Sequence, residues 1–89
     1  MKINGNFCLR KILGENILVQ TDKHENTPEG IFIFDEVGAF IWEHTARADS
    51  AEDLARMLTE EYEVTYEQAL NDVNEFLANL RKNKLIAEY

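Results

Sequence analysis

The segment Ile31-Phe32-Ile33-Phe34-Asp35 divides the chain into halves that obey different periodicities. Four consecutive apolar residues, β-branched alternating with aromatic, are too few for a helix and suit a short strand. Asp35, placed directly after them, is a good helix N-cap, because its carboxylate can accept from an N–H of the first turn that has no partner inside the helix. The chain before this point reads as strands, and the chain after it as helices.

In the first half, Phe7-Cys8-Leu9-Arg10-Lys11-Ile12-Leu13 and Ile17-Leu18-Val19-Gln20 are apolar runs separated by Gly14-Glu15-Asn16. Glycine at the first central position of a two-residue turn predicts a type II′ hairpin, since its φ can be positive without a Cβ clash. Phe7 and Leu9 share one face and Ile12 falls on the other, which predicts a bulge near Arg10-Lys11. Residues 21–30, punctuated by Pro28 and Gly30, read as a polar loop. The third strand, residues 31–34, is apolar at every position, so both its faces are expected to be covered.

The second half predicts three helices. The first starts at the cap Asp35 and runs through Val37, Phe40, Ile41 and Trp42 to about His44. The second starts at Ser50, where Ser50-Ala51-Glu52-Asp53 resembles a capping box, and its apolar stripe is Ala51, Leu54, Ala55, Leu58 and Tyr62. The third starts at Thr65 with Thr65-Tyr66-Glu67-Gln68, another capping-box pattern. Its stripe is Ala69, Leu70, Val73, Phe76, Leu77 and Leu80, closed by Lys82-Asn83-Lys84 with Asn83 expected in the left-handed cap position. Leu85-Ile86 follows as a short apolar tail. The order βββααα predicts an α+β domain: a three-stranded antiparallel sheet followed by three helices packed on one side, winged helix-turn-helix-like because the last two helices are joined by the short link Glu63-Val64. At 89 residues the chain is expected to form one domain, residues 1–89.

The formal net charge is −8 and lies entirely in the second half, where 13 acids face 5 bases. Such a surface repels phosphate backbones, so nucleic acid is not an expected partner. No apolar run is long enough to cross a membrane and the first residues lack a signal-peptide core, so the expected location is cytoplasmic. The lone Cys8, with His24 and His44, forms no metal-ligand spacing. Cys8 is expected to be core or half-buried, and His44 to suit the negative end of the first helix. Thr45, Ser50, Thr59 and Thr65 sit in no nucleophile context, the glycines form no phosphate loop, and Glu60-Glu61 points to different sides of a helix. The residues therefore predict no enzyme activity, no cofactor and no metal.

Residues Phe34-Asp35-Glu36-Val37-Gly38-Ala39-Phe40-Ile41-Trp42-Glu43 resemble the PqqD family, which carries Gly-Ala, then a bulky pair ending in Ile-Trp, then Glu. Leu54-Ala55 to Leu58, Glu61-Tyr62-Glu63-Val64, Asp72-Val73 to Phe76-Leu77, Leu80 and Leu85-Ile86 continue the likeness over about residues 7–87. The resemblance implies a recognition domain that binds the leader of a ribosomally made precursor peptide and presents it to a modifying enzyme, often a radical-SAM enzyme. It also implies that the leader adds as a strand beside strand 3 and helix 3. On that basis the expected peptide-binding residues are Ile31, Phe32, Ile33 and Phe34 at the edge, with Tyr66, Leu70, Val73, Asn74, Leu77 and Arg81 on the helix. Gly38, Ile41 and Trp42 are expected to be fold determinants, Gly38 by allowing close approach. A winged-helix DNA-binding or regulatory protein is the alternative. It is disfavoured because residues 65–82 place Glu67, Asp72 and Glu75 where a DNA-reading helix needs bases, with Arg81 and Lys82 only at the end.

Overall fold

Three strands, β1 (Phe7–Ile12), β2 (Glu15–Gln20) and β3 (Phe32–Phe34), precede three helices, α1 (Glu36–Thr45), α2 (Ala51–Glu61) and α3 (Tyr66–Lys82), in a computed structural model. It describes residues 1–21 and 31–87. The polar loop expected at residues 21–30, with His24, lies outside the described residues beyond Thr21. The sheet is antiparallel in the order β1-β2-β3, so among the described residues β3 is an edge strand.

The β1–β2 register runs unbroken from Phe7↔Gln20 to Ile12↔Glu15, and the expected bulge is absent. Ile12 simply faces outward near the tip, where exposure costs little register energy. The turn also differs from expectation. It is Leu13-Gly14 with φ of 50° and 82°, a type I′ geometry with glycine at the second central position rather than the first. Type I′ matches the right-handed twist of the flanking strands. A leucine held at positive φ is strained by its Cβ, by about 1–2 kcal/mol. Leu13 is 99% exposed, so no packing offsets this. Leu13→Asn, which completes the favoured Asn-Gly pair, is expected to raise unfolding free energy by about 1 kcal/mol. A urea midpoint that does not rise would contradict the strained turn.

One face of the sheet carries Phe7, Leu9, Leu18, Phe32 and Phe34 into the core. The other carries Cys8, Ile17, Val19 and Ile33. The expectation that β3 is covered on both faces is corrected here: Ile33 is 59% exposed and Ile31 is 77% exposed. The helices lie on one side only, and strand side chains alternate between faces.

Each helix begins at its expected cap. Asp35 Oδ1 accepts from Gly38 N–H at 2.7 Å, Ser50 Oγ from Asp53 N–H at 3.1 Å, and Thr65 Oγ1 from Gln68 N–H at 3.1 Å. The capping boxes are half formed. Asp53 accepts from the N–H of Asp49, one residue before the cap, and Gln68 reaches forward to Asp72 Oδ1 at 2.9 Å. At the end of α3 the left-handed residue is Lys84, φ 61°, not Asn83. Leu85 N–H donates to Leu80 O at 2.8 Å and Lys84 N–H to Arg81 O at 3.0 Å, the two bonds of a Schellman motif. That turn directs Leu85 and Ile86 inward, where each is 1% exposed. Ile3 and Ile86 form an antiparallel bridge, flanked by Asn4 N–H to Leu85 O at 2.9 Å and Ala87 N–H to Lys2 O at 3.0 Å.

The core is Leu54, Ala55 and Leu58 of α2 against Ala69, Val73, Leu77 and Leu80 of α3, closed by Leu18, Ile41 and Trp42. Ala55 and Ala69 are fully buried, and their small side chains suit close helix approach. Thr45, the buried polar residue of α1, donates to Ile41 O at 2.6 Å and so carries no unmet bond.

Candidate functional site

The unbroken hairpin register determines which backbone groups of β3 face outward. Thr21 N–H donates to Asn6 O at 2.9 Å, so the directly bonded pairs along β1–β2 are 6–21, 8–19, 10–17 and 12–15. Ile17 therefore directs its backbone groups to β1, while Asn16 and Leu18 direct theirs to β3. With the register Asn16↔Phe34, Ile17↔Ile33 and Leu18↔Phe32, the N–H and C=O of Ile33 point to the open edge. An edge donor and acceptor side by side form a template for another extended chain.

Beside this edge runs a cleft against α3. One hollow of about 370 Å³ is lined by residues 31–35, by Phe76, Asn79, Leu80 and Asn83, and by Leu85. A second of about 370 Å³ lies past Asp35, between Val37, Gly38 and Ile41 of α1 and Asp72 and Glu75 of α3. The two share Asp35, Phe76 and Asn79, and so lie side by side.

Aromatic rings hold the walls of the cleft. Phe7 meets Trp42 edge-to-face at 5.7 Å, Trp42 meets Phe34 at 5.9 Å, and Phe34 meets Phe76 edge-to-face at 5.0 Å. This row ties β1, α1, β3 and α3 together. Gly38 lets α1 approach: a Cβ there would lie 2.9 Å from Phe76 Cε1 and 3.1 Å from the capping Asp35 Oδ1. Alanine exceeds glycine in a helix interior by about 1 kcal/mol, but overpacking costs about 1–3 kcal/mol. Gly38→Ala is thus expected to lower the urea midpoint. A midpoint that rises instead would show that Phe76 moves aside freely.

Of the expected peptide-contacting residues, Ile31, Phe32, Ile33 and Phe34 line the cleft. The helix residues do not join them there. Val73 and Leu77 are core, at 0% and 1% exposure. Leu70 and Asn74 border a separate hollow with Thr65, Glu67, Gln68 and Asn71. Tyr66 is exposed at the start of α3, and Arg81 is half-buried outside the residues that line the cleft. The α3 residues beside β3 are instead Phe76 and Asn79, with Asn83 at the helix C-cap, while Asp72 and Glu75 border the hollow against α1. These positions recur at helical spacing immediately beside the core stripe. The stripe identifies the buried side of the helix, but it does not tell which shoulder meets the sheet edge.

The cleft offers backbone pairing, apolar contact and carboxylates. Among the described residues no group of three or more His, Cys, Asp and Glu side chains is placed to hold a metal ion. Lys11 Nζ donates to Glu36 Oε1 at 2.8 Å and Asn16 Nδ2 does so at 3.3 Å. These bonds, the lysine's first, hold the Glu36 carboxyl below its ordinary pKa. The pair is exposed, so it tethers the hairpin to α1 weakly and in a salt-sensitive way. Among the described residues no helix is long and apolar enough to cross a membrane.

Fold and cleft together define a small α+β domain whose open sheet edge lies over a partly apolar channel. The chain belongs to the PqqD family: the family model described as "Coenzyme PQQ synthesis protein D (PqqD)" matches residues 15–86. Comparison with curated proteins gives no match. Among solved structures, "TbiB1 in Complex with the TbiA(beta) Leader Peptide" is similar, with 25% identity, a TM-score of 0.76, and coverage of 100% of this chain and 98% of that one.

Proposed function

We propose that this protein binds the leader segment of a ribosomally synthesised precursor peptide and presents it to a modifying enzyme in peptide natural-product biosynthesis. The observation that carries this reading is the outward-facing N–H and C=O of Ile33 directly over the apolar hollow. An extended leader pairs its backbone with Ile33, which gives affinity with little demand on sequence. Alternate leader side chains turn inward over Phe32, Phe34, Phe76 and Leu80, which gives selectivity. The similar fold of TbiB1, described in complex with a leader peptide, supports the same mode here. In this reading the chain supplies no chemistry of its own. The family resemblance makes a radical-SAM enzyme the expected recipient, acting in the cytoplasm where precursors are made.

The test is a titration of isotope-labelled protein with a synthetic leader from the precursor encoded beside its gene. The largest amide shifts are expected at Phe32–Phe34 and along residues 72–83, with slowed hydrogen exchange at Ile33 N–H. Shifts confined to α2 would overturn the proposed groove.

A further inference from the structure

Resting on the peptide-groove reading, we infer that the ligand carries a lysine or arginine that enters the second hollow, between Asp35, Asp72 and Glu75. The two hollows differ in chemistry although they adjoin at Asp35, Phe76 and Asn79. The first is walled by Phe32, Phe34, Phe76, Leu80 and Leu85, and so takes an apolar side chain. The second presents three carboxylates, and no Lys, Arg or His is among the residues that line it.

Asp35 uses Oδ1 to cap α1 through Gly38 N–H, and Asp72 uses Oδ1 to accept from Gln68 Nε2. Each bond fixes its carboxylate in place and leaves a second oxygen for a ligand. Val37, Ile41 and Phe76 supply an apolar wall for the stem of a long basic side chain, whose charged head then reaches the carboxylates. Charge-assisted bonds to such a head are stronger than neutral ones. The chain's net charge of −8 adds long-range attraction for a cationic ligand.

Geometry sets the spacing. From Asp72 to Asn83 along α3 is about 16 Å, which matches about five residues of extended chain. Side chains on one face of a strand recur every second residue. The basic residue therefore lies about two or four positions from the apolar one. It lies on the N-terminal side when the peptide runs antiparallel to β3, because β3 itself runs toward Asp35.

The experiment pans a random peptide library, about twelve residues long and so longer than the cleft, against the full chain. It is repeated against the Asp72→Asn/Glu75→Gln double variant and against Ile33→Pro, with folding checked by circular dichroism. Expected on the parent are peptides with a large apolar residue and Lys or Arg at the stated spacing. On the double variant the basic preference is expected to fall about fivefold or more, with the apolar preference kept. Apolar enrichment without a basic preference, or a basic preference unchanged in the double variant, overturns this inference and leaves the groove standing. Peptides that bind Ile33→Pro as well as the parent overturn the groove reading itself.

Discussion

Replacing Trp42 with alanine is expected to cost about 3–5 kcal/mol of stability, the usual penalty for truncating a buried aromatic side chain. A domain of this length has a total of about 4–13 kcal/mol, so much of the population should unfold under mild conditions. The size of the effect follows from position. Trp42 is 6% exposed and bridges Phe7 of β1 and Phe34 of β3. Its removal opens a cavity and also frees the edge strand from the helices. Since Trp42 is the chain's single tryptophan, unfolding must be followed by circular dichroism in urea. Trp42→Phe, which keeps a ring between the two phenylalanines, should lose distinctly less. An alanine variant within about 1 kcal/mol of the parent would show that the aromatic row does not organise the sheet.

Ile33→Pro should leave the protein folded and weaken leader binding by about tenfold or more, the value of one lost backbone bond and a disturbed ladder. Proline removes a donor, and at an edge strand this is tolerated when the lost N–H faces outward. The register places the Ile33 N–H on the open edge, so its loss spares the β2–β3 ladder. The side chain is 59% exposed, so little packing goes with it. Phe32→Pro is the contrasting control. Its N–H faces Leu18, and its ring packs on the core, so that variant should lose stability as well as binding. Calorimetric titration with the leader, beside urea melts of all three proteins, separates the effects. Equal leader affinity in folded Ile33→Pro and parent would exclude strand addition at this edge.

Much of the candidate site is legible from one stretch of residues, 31–42. The four apolar residues and the cap Asp35 act locally, so their roles can be read without a neighbour in view. Gly38 and Trp42 were legible through the family resemblance, although they act on Phe76, Phe7 and Phe34 far along the chain. Apolar residues at 31–34 predicted the strand, yet not its exposed face, because coverage depends on where the helices dock. The helix flank shows the same limit. Periodicity identified the core side through Val73 and Leu77, but Leu70 and Asn74 border a different hollow, Tyr66 is exposed at the start of α3, and Phe76 and Asn79 took the place beside β3. Neighbouring positions on a helix are about 100° apart, so a small rotation changes which shoulder faces the sheet.

By itself the amino-acid sequence determined the order βββααα, all three helix caps, the core stripes and the likeness to the PqqD family. These rest on short-range rules: side-chain oxygens meeting nearby N–H groups, and apolar residues recurring at a helical period. Tertiary structure decided the type I′ turn at Leu13-Gly14, the choice of Lys84 for the left-handed cap, the bridge from Ile3 to Ile86, and the outward pair on Ile33. It also decided that Asp35, Asp72 and Glu75, brought together from α1's cap and from α3, border one hollow. The turn and the cap follow from the pairing of adjacent β1 and β2 and from the burial of Leu85 and Ile86. The bridge, the outward pair and the shared hollow depend on register and docking between segments distant in the chain, where one residue of slip or a few degrees of rotation exchanges a buried group for an exposed one.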